Sequence, residues 1–254
     1  MISLKTKDWI INEIETVIFD KDGTFIDLHY FWGKMTELRA KEVIKKFKIN
    51  EIHFANICKK LGYDTHTKKM LKDGITALYS RVKIIEIFSE YLKEYKINTT
   101  KKEIEEIFDY VSNIFYKDMH KYTIPINEAI DFIKELNKYN VKVGIVTSDS
   151  IESTQKTINY FQWETLFQTT IGRESSTYTK ESGEPTKMAL KNLNANPRTT
   201  IMIGDAPMDF ISAQNAEIEK TILVGTGQLT TDDLIKTSKY VVSSLNEIEI
   251  ILNE

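Results

Sequence analysis

The sequence predicts an α/β fold, a doubly wound parallel sheet interrupted by an all-helical insertion, and three observations lead there. From Pro125 onward, short runs of β-branched and apolar residues alternate with amphipathic helices, the pattern of strand–helix units in a parallel sheet. One further run of the same kind, Thr16-Val17-Ile18-Phe19, stands near the start. Between it and Pro125 the apolar spacing is helical almost throughout.

Taken in order, the first run favours a strand at Val17–Phe19 that ends in Asp20-Lys21-Asp22-Gly23-Thr24, where the Asp-Gly pair forces a turn. Segments 31–47, 51–61, 75–95 and 101–115 each repeat apolar residues every three or four positions, as Ile84, Ile87, Phe88 and Tyr91 illustrate. Ile126, Ile130, Ile133 and Leu136 then make one apolar helix face. A strand at 141–146 runs into Thr147-Ser148-Asp149, and Lys180 follows in a polar loop. Ala189, Leu190 and Leu193 mark the next helix, and a strand at 200–204 leads into Gly204-Asp205-Ala206-Pro207-Met208-Asp209. A strand at 221–224 continues the alternation.

Composition narrows the function. At 254 residues the chain can bury a substantial core, as one large domain or two small ones. A net charge of −3 provides no basic field for nucleic acid. The lysines of 41–48 alternate with Val43, Ile44 and Phe47 and read as the solvated face of a helix. Cys58 is the single cysteine, so neither an intramolecular disulfide nor a cysteine metal cage is expected, and a reducing cytoplasm suits the chain. Lys5, Lys7, Asp8 and Glu13 interrupt the first residues, unlike a secretory signal, and no run has the length of a membrane span. His29, His53, His66 and His120 form no helical ligand pair, although His29 lies close to the Asp20–Asp22 loop. Gly225-Thr226-Gly227 lacks the third glycine of a dinucleotide fingerprint and reads as a turn.

The acidic residues cluster at predicted strand ends, where open α/β sheets place their ligands. An ordinary turn explains Asp22-Gly23 alone. It does not explain the conjunction with Thr147, Lys180 and Asp205. A phosphate ester repels nucleophiles with its own charge, so hydrolysis needs a positioned nucleophile beside groups that neutralise that charge. Two carboxylates, a hydroxyl, a lysine and a further carboxylate are such a set.

The same segments resemble the haloacid dehalogenase superfamily, in the branch of aspartate-nucleophile phosphatases that includes phosphoglycolate phosphatases. Asp20-Lys21-Asp22-Gly23-Thr24 is similar to the first motif of that family, Thr147 to the residue ending its second, and Asp205 with Asp209 to its fourth. Lys180 fits the third motif by its spacing from Leu193 and Asp205, although the prolines that usually follow are absent; Lys187 is the alternative. The resemblance implies a Rossmann-like catalytic core, 1–24 with 122–254, and a helical cap domain, 25–121, with residues 240–245 similar to the last strand of the family, which leads into a short closing helix. It implies Asp20 as nucleophile, Asp22 as acid and base, and Mg2+ held by Asp20, the main-chain carbonyl of Asp22 and Asp205. Gly23, Thr147, Ser148 and Lys180 would bind the phosphate, with Asp209 orienting Lys180 or a metal-bound water and Thr24 shaping the loop.

The implied function is Mg2+-dependent hydrolysis of a small phosphate monoester, a sugar, polyol or phosphoglycolate-like metabolite, through an aspartyl-phosphate. A phosphomutase of the beta-phosphoglucomutase type shares these motifs and stays open. A silent phospho-ligand binding protein would have lost a motif residue, and none is missing. No nucleic-acid or membrane partner is expected, and the oligomeric state is not legible. In the insertion, Tyr30, Phe31 and Trp32 follow the first motif closely. Arg39 and Arg81 read as surface residues, with anion binding as the functional alternative.

Overall fold

The structure, a computed structural model, describes residues 1–252. The chain forms two compact units, one of Met1–Asp27 with the chain from Pro125 onward and one of Leu28–Ile124. Each edge falls three residues later than the sequence reading placed it. Phe25 explains the first shift, because its ring stacks on Phe167 at 5.3 Å and meets Trp163 edge-on at 6.2 Å, both in the first unit.

Strands in chain order are β1 (Ile2–Lys5), β2 (Ile10–Ile14), β3 (Thr16–Phe19), β4 (Tyr63–Asp64), β5 (Lys69–Met70), β6 (Lys142–Val146), β7 (Thr169–Ile171), β8 (Thr200–Gly204), β9 (Lys220–Val224), β10 (Tyr240–Val242) and β11 (Glu249–Leu252). The first unit is built on a six-stranded parallel sheet of order β10-β9-β8-β3-β6-β7. Strand β3 is buried along its whole length, as suits its apolar run Val17–Phe19, with Thr16 a buried polar residue at its start. Val17 and Phe19 face a core with Ile133, Leu136 and Ile145, while Ile18 faces a second one with Val146, Leu190, Leu193 and Met202. Alternate residues of one strand therefore feed two helical layers, as a doubly wound sheet requires.

From β3 the chain runs outward through β6 and β7, then returns to the other side of β3 with β8 and continues through β9 and β10. That reversal is the topological switch point, where crevices at strand carboxyl ends take ligands. Register keeps the three central ends level, since Phe19 pairs with Ile145 and with Ile203.

A second, antiparallel sheet of order β11-β1-β2 was not anticipated. Instead of a closing helix after the last parallel strand, a 3-10 turn at Leu245–Glu247 leads into β11, which pairs with β1. Strands of four or five residues carry too little alternation to be read from spacing. Their burial is nonetheless real, with Ile2, Leu4, Ile11 and Ile14 joining the core of Val17.

The second unit holds helices Leu28–Phe47, Phe54–Leu61, Arg81–Leu92 and Lys101–Lys117 around Phe31, Met35, Val43, Phe88, Phe108 and Phe115, with the ribbon β4-β5. Thr100 and Glu103 form a reciprocal capping box that starts the last of these helices. The continuous helix expected at 75–95 is broken. Ile75–Leu78 makes one turn, Tyr79 and Ser80 are extended, and Lys93–Tyr95 closes as a 3-10 turn. Leu78, Tyr79 and Val82 are exposed, so their helical spacing is not reinforced by burial.

Arg39 also departs from expectation, being 8 % exposed with its guanidinium 4.4 Å from the Phe108 ring centre. Burial, with the neighbouring charge of Arg81, pulls its pKa down to about 10, which leaves it cationic at neutral pH. Arg81 is exposed and pairs with Asp109 at 2.5 Å. Tyr30 and Trp32 are half-buried, and the Nδ1 atom of His29 accepts a hydrogen bond from the Met70 amide at 3.1 Å. Among the described residues no helix is long and apolar enough to cross a membrane.

Candidate active site

Strand β3 delivers Asp20 to the sheet's carboxyl edge, anchored by its amide to the Ile203 carbonyl at 2.8 Å. The loop then tightens, with the Lys21 carbonyl accepting from the amides of Thr24, Phe25 and Ile26 at 3.3, 3.1 and 3.1 Å. Gly23 sits at φ +89°, a conformation that favours glycine, and a Cβ there would collide with the Asp205 carboxylate. Strand β8 delivers Asp205, and the following helix, Pro207–Asn215, carries Asp209 in its first turn.

Lys180 joins these acids. It lies in a 3-10 turn at Lys180–Ser182, is buried, and places Nζ 2.5 Å from Asp20 Oδ1 and 2.6 Å from Asp209 Oδ1. Asp209 is doubly committed, its Oδ2 accepting from the Ala206 amide at 3.0 Å. Lys187 lies on an exposed helix face and pairs with Glu184 at 2.9 Å. The proline-free loop thus still brings Lys180 to the acids.

Asp20, Asp205 and Asp209 each offer an oxygen within 4.8 Å of the others. Crowding shows in their electrostatics. Burial pushes the Asp20 carboxyl up to about 7, against the pull of Lys180 and with a further push from Asp209 and Asp22. Desolvation in this pocket thus lifts Asp20 well above the ordinary carboxylate value of 3.8. Asp205 is raised well above its usual range by burial first and the charges of Asp20 and Asp209 second. Burial alone would lower Lys180, but contact with Asp20 and Asp209 outweighs it and holds the ammonium firmly charged.

This donor set fits a hard divalent cation. Asp205 is buried, has no ion pair among the described residues, and lies beside two other carboxylates whose charges, together with burial, outweigh the pull of the nearby Lys180. Gly227, like Gly23, leaves room at its carboxylate that a Cβ would fill. Oxygen ligands in that number and charge suit Mg2+.

Thr147 directly follows β6, buried, with its amide donating to the Ile171 carbonyl at 2.9 Å and its Oγ1 accepting from the Asp149 amide at 3.1 Å. Ser148 is exposed, its hydroxyl 3.5 Å from Met208 Sδ. Thr24 is fully buried. Two further elements were not singled out from sequence. Thr226 donates to the Gly23 carbonyl at 2.5 Å, so the glycine-containing turn after β9 braces the first loop. Lys21 is fully buried and contacts Asp149 at 2.7 Å and Asp22 at 2.9 Å. A lysine directly between two carboxylates, at the end of an apolar strand, was the available signal for it.

Comparison with known proteins agrees with this geometry. Residues 54–224, more than half of the chain, match the haloacid dehalogenase-like hydrolase family. Pyrophosphatase PpaX of Oceanobacillus iheyensis is 23% identical over 95% of this chain and 98% of its own length. A phosphoglycolate phosphatase of Psychrobacter arcticus is 26% identical over 49% of this chain and 56% of its own. In structure, the beta-phosphoglucomutase of Clostridium difficile superposes with a TM-score of 0.60 at 19% identity, covering 92% of each chain, a likeness of fold. With its parallel sheet, its level strand ends and its matched sequence, the chain belongs to the haloacid dehalogenase-like hydrolase family.

Proposed function

We propose that the protein is a Mg2+-dependent phosphatase that releases inorganic phosphate from a small phosphorylated metabolite through an aspartyl-phosphate on Asp20. The observation that carries this reading is the Lys180 ammonium bridging Asp20 and Asp209 within a buried cluster of carboxylates at the switch point of the sheet. Such a site accommodates an anion only if cations balance it.

In the first step an Asp20 oxygen attacks phosphorus, the bond from phosphorus to the leaving oxygen breaks, and Asp22 gives that oxygen its proton. In the second, water attacks the same phosphorus, Asp22 takes a proton from it, and the Asp20 carboxylate is released with inorganic phosphate. Lys180, the Thr147 hydroxyl and the Ser148 amide hold the phosphoryl oxygens, where charge builds in the transition state, whereas the Gly23 amide expected to join them is taken up inside its own loop, donating to the Ile26 carbonyl at 2.8 Å. Asp209 keeps Lys180 aimed. Asp20, Asp205 and the main-chain carbonyl of Asp22 would hold the Mg2+, which when bound offsets the charge repulsion between nucleophile and substrate.

Phosphate and metal are common to every candidate substrate, so these residues cannot discriminate among leaving groups. We assign that task to the helical unit Leu28–Ile124, as a cap. The name of the relative matched over nearly its full length adds inorganic pyrophosphate to the candidates. The test is phosphate release from pyrophosphate, 2-phosphoglycolate, and sugar and polyol phosphates, with and without EDTA. Metal-dependent release from at least one supports the reading. Conversion of β-glucose 1-phosphate to glucose 6-phosphate without release would replace it with a mutase. Substitutions at Tyr30 or Trp32 should change kcat/KM unequally across the panel, and uniform scaling would contradict the assignment of specificity to the cap.

A stability measurement checks the metal separately. Asp20 and Asp205, raised in the fold, bind more protons in the native protein without metal than they do in the unfolded chain. Their contribution to stability therefore falls as pH rises from the ordinary carboxylate value of 3.8 toward about 7. Mg2+ at a hundred times its Kd should add about 2.7 kcal/mol, or about 5–10 °C in Tm for a chain of this size. The gain should be larger at pH 8 than at pH 5, where protons compete. A Tm indifferent to Mg2+ at pH 8 would contradict the metal assignment.

A further inference from the structure

The most constrained charged group in the molecule outside the phosphate-binding set is Lys21. It is 0 % exposed, and its ammonium is placed 2.7 Å from Asp149 Oδ2 and 2.9 Å from Asp22 Oδ1. Asp149 is itself fixed. Its Oδ1 accepts from the Ser150 amide at 2.8 Å, and its own amide donates to Thr147 Oγ1 at 3.1 Å. A continuous polar path thus runs from Thr147 through Asp149 and Lys21 to the Asp22 carboxylate. Asp22 needs such a hold. It follows the strand end, precedes the positive-φ turn at Gly23, and a carboxylate in that place has three staggered χ1 wells to choose from.

We propose that Lys21 and Asp149 are positioning residues that lock the Asp22 carboxylate in the rotamer its acid and base roles require. Lys21 grips Oδ1, which assigns the travelling proton to Oδ2. A full positive charge this deep in the fold is tolerable only between two carboxylates, and that requirement works in both directions. Asp149 anchors the ammonium, and the ammonium in turn dictates where the second carboxylate lies. The inference rests on the proposed role of Asp22 as acid and base.

The effect should follow the cost of misplacing a reacting group by about 1 Å, on the order of 10²-fold. Lys21→Met alone leaves Asp149 buried without its partner, so the informative variant is Lys21→Met/Asp149→Asn, which removes both charges. With Mg2+ and p-nitrophenyl phosphate, whose turnover still needs Asp22 for the water step, kcat should fall by about 10–100-fold with KM changed less than about threefold. In an Asp22→Asn background the same pair of substitutions should cost less than about threefold, because no carboxylate remains to be positioned. Equal fractional losses in both backgrounds, or kcat retained within about twofold in the first, would overturn the proposal. A crystal structure of Lys21→Met/Asp149→Asn reads the geometry without turnover. Asp22 distributed over more than one rotamer supports the inference, and an unmoved Asp22 overturns it. If the native enzyme released no phosphate, the phosphatase reading would fall, and the Asp22 rotamer would still decide this one.

Discussion

Asp20→Asn is expected to lower kcat by about 10⁴-fold or more, the scale of losing a covalent nucleophile. An amide cannot attack phosphorus to give an acyl phosphate, yet it matches the carboxylate in shape. Its oxygen can keep the 2.5 Å contact that Asp20 Oδ1 makes with Lys180. The fold should therefore survive. Stability adds a second reading with an unusual sign. Asp20 is raised by burial and by the neighbouring charges of Asp209 and Asp22, so neutralising it removes one of several acids crowded into a dry site. Metal-free Asp20→Asn should melt no lower than the native protein at pH 8 while responding more weakly to Mg2+. Activity within a hundredfold of native would remove Asp20 from the role of nucleophile.

The second large effect is expected at Asp22, where Asn should slow turnover by about 10²–10⁴-fold, the usual worth of one general acid and base. Both steps lose a proton carrier. They do not lose it equally for all substrates. A leaving group that departs readily as an anion still forms the aspartyl-phosphate, and the water step alone is then blocked. Asp22→Asn should accordingly accumulate enzyme phosphorylated on Asp20 with such a substrate, whereas with a poor leaving group it should stall before phosphoryl transfer. A loss of only a few fold would move the proton work to another group.

The part of this architecture legible in the sequence is the part governed by local pattern. Strand β3 reads as buried because all four residues are compatible with two covered faces, and β8 falls at the expected 200–204 for the same reason. Lys180 could be placed by spacing although it lies 160 residues from Asp20. What the sequence left unread depends on partners remote in the chain. The sequence around Lys21 carries a local signal, a lysine between two carboxylates at a strand end, but its partner Asp149 lies 128 residues away and local pattern does not identify it. Arg39 occupies the buried side of its helix against Phe108, which helical spacing alone does not specify when the apolar stripe is wide. The break at Tyr79–Ser80 lies within unbroken helical spacing, and the burial that decides it is tertiary. The upward shift of Asp20 is likewise a product of enclosure, invisible in a list of residue types.

The central claim is that a phosphoryl group passes through the side chain of Asp20, and trapping it is the most direct test. Asp22→Asn would be mixed with Mg2+ and p-nitrophenyl phosphate, quenched in acid during turnover, digested, and its peptides weighed before and after borohydride reduction. The account predicts one phosphoryl group on the peptide containing Asp20, localised to that residue by its reduction to homoserine, and absent when Asp20→Asn is added. An unmodified Asp20 peptide under continuing turnover, or a phosphoryl group on any other side chain, would contradict it.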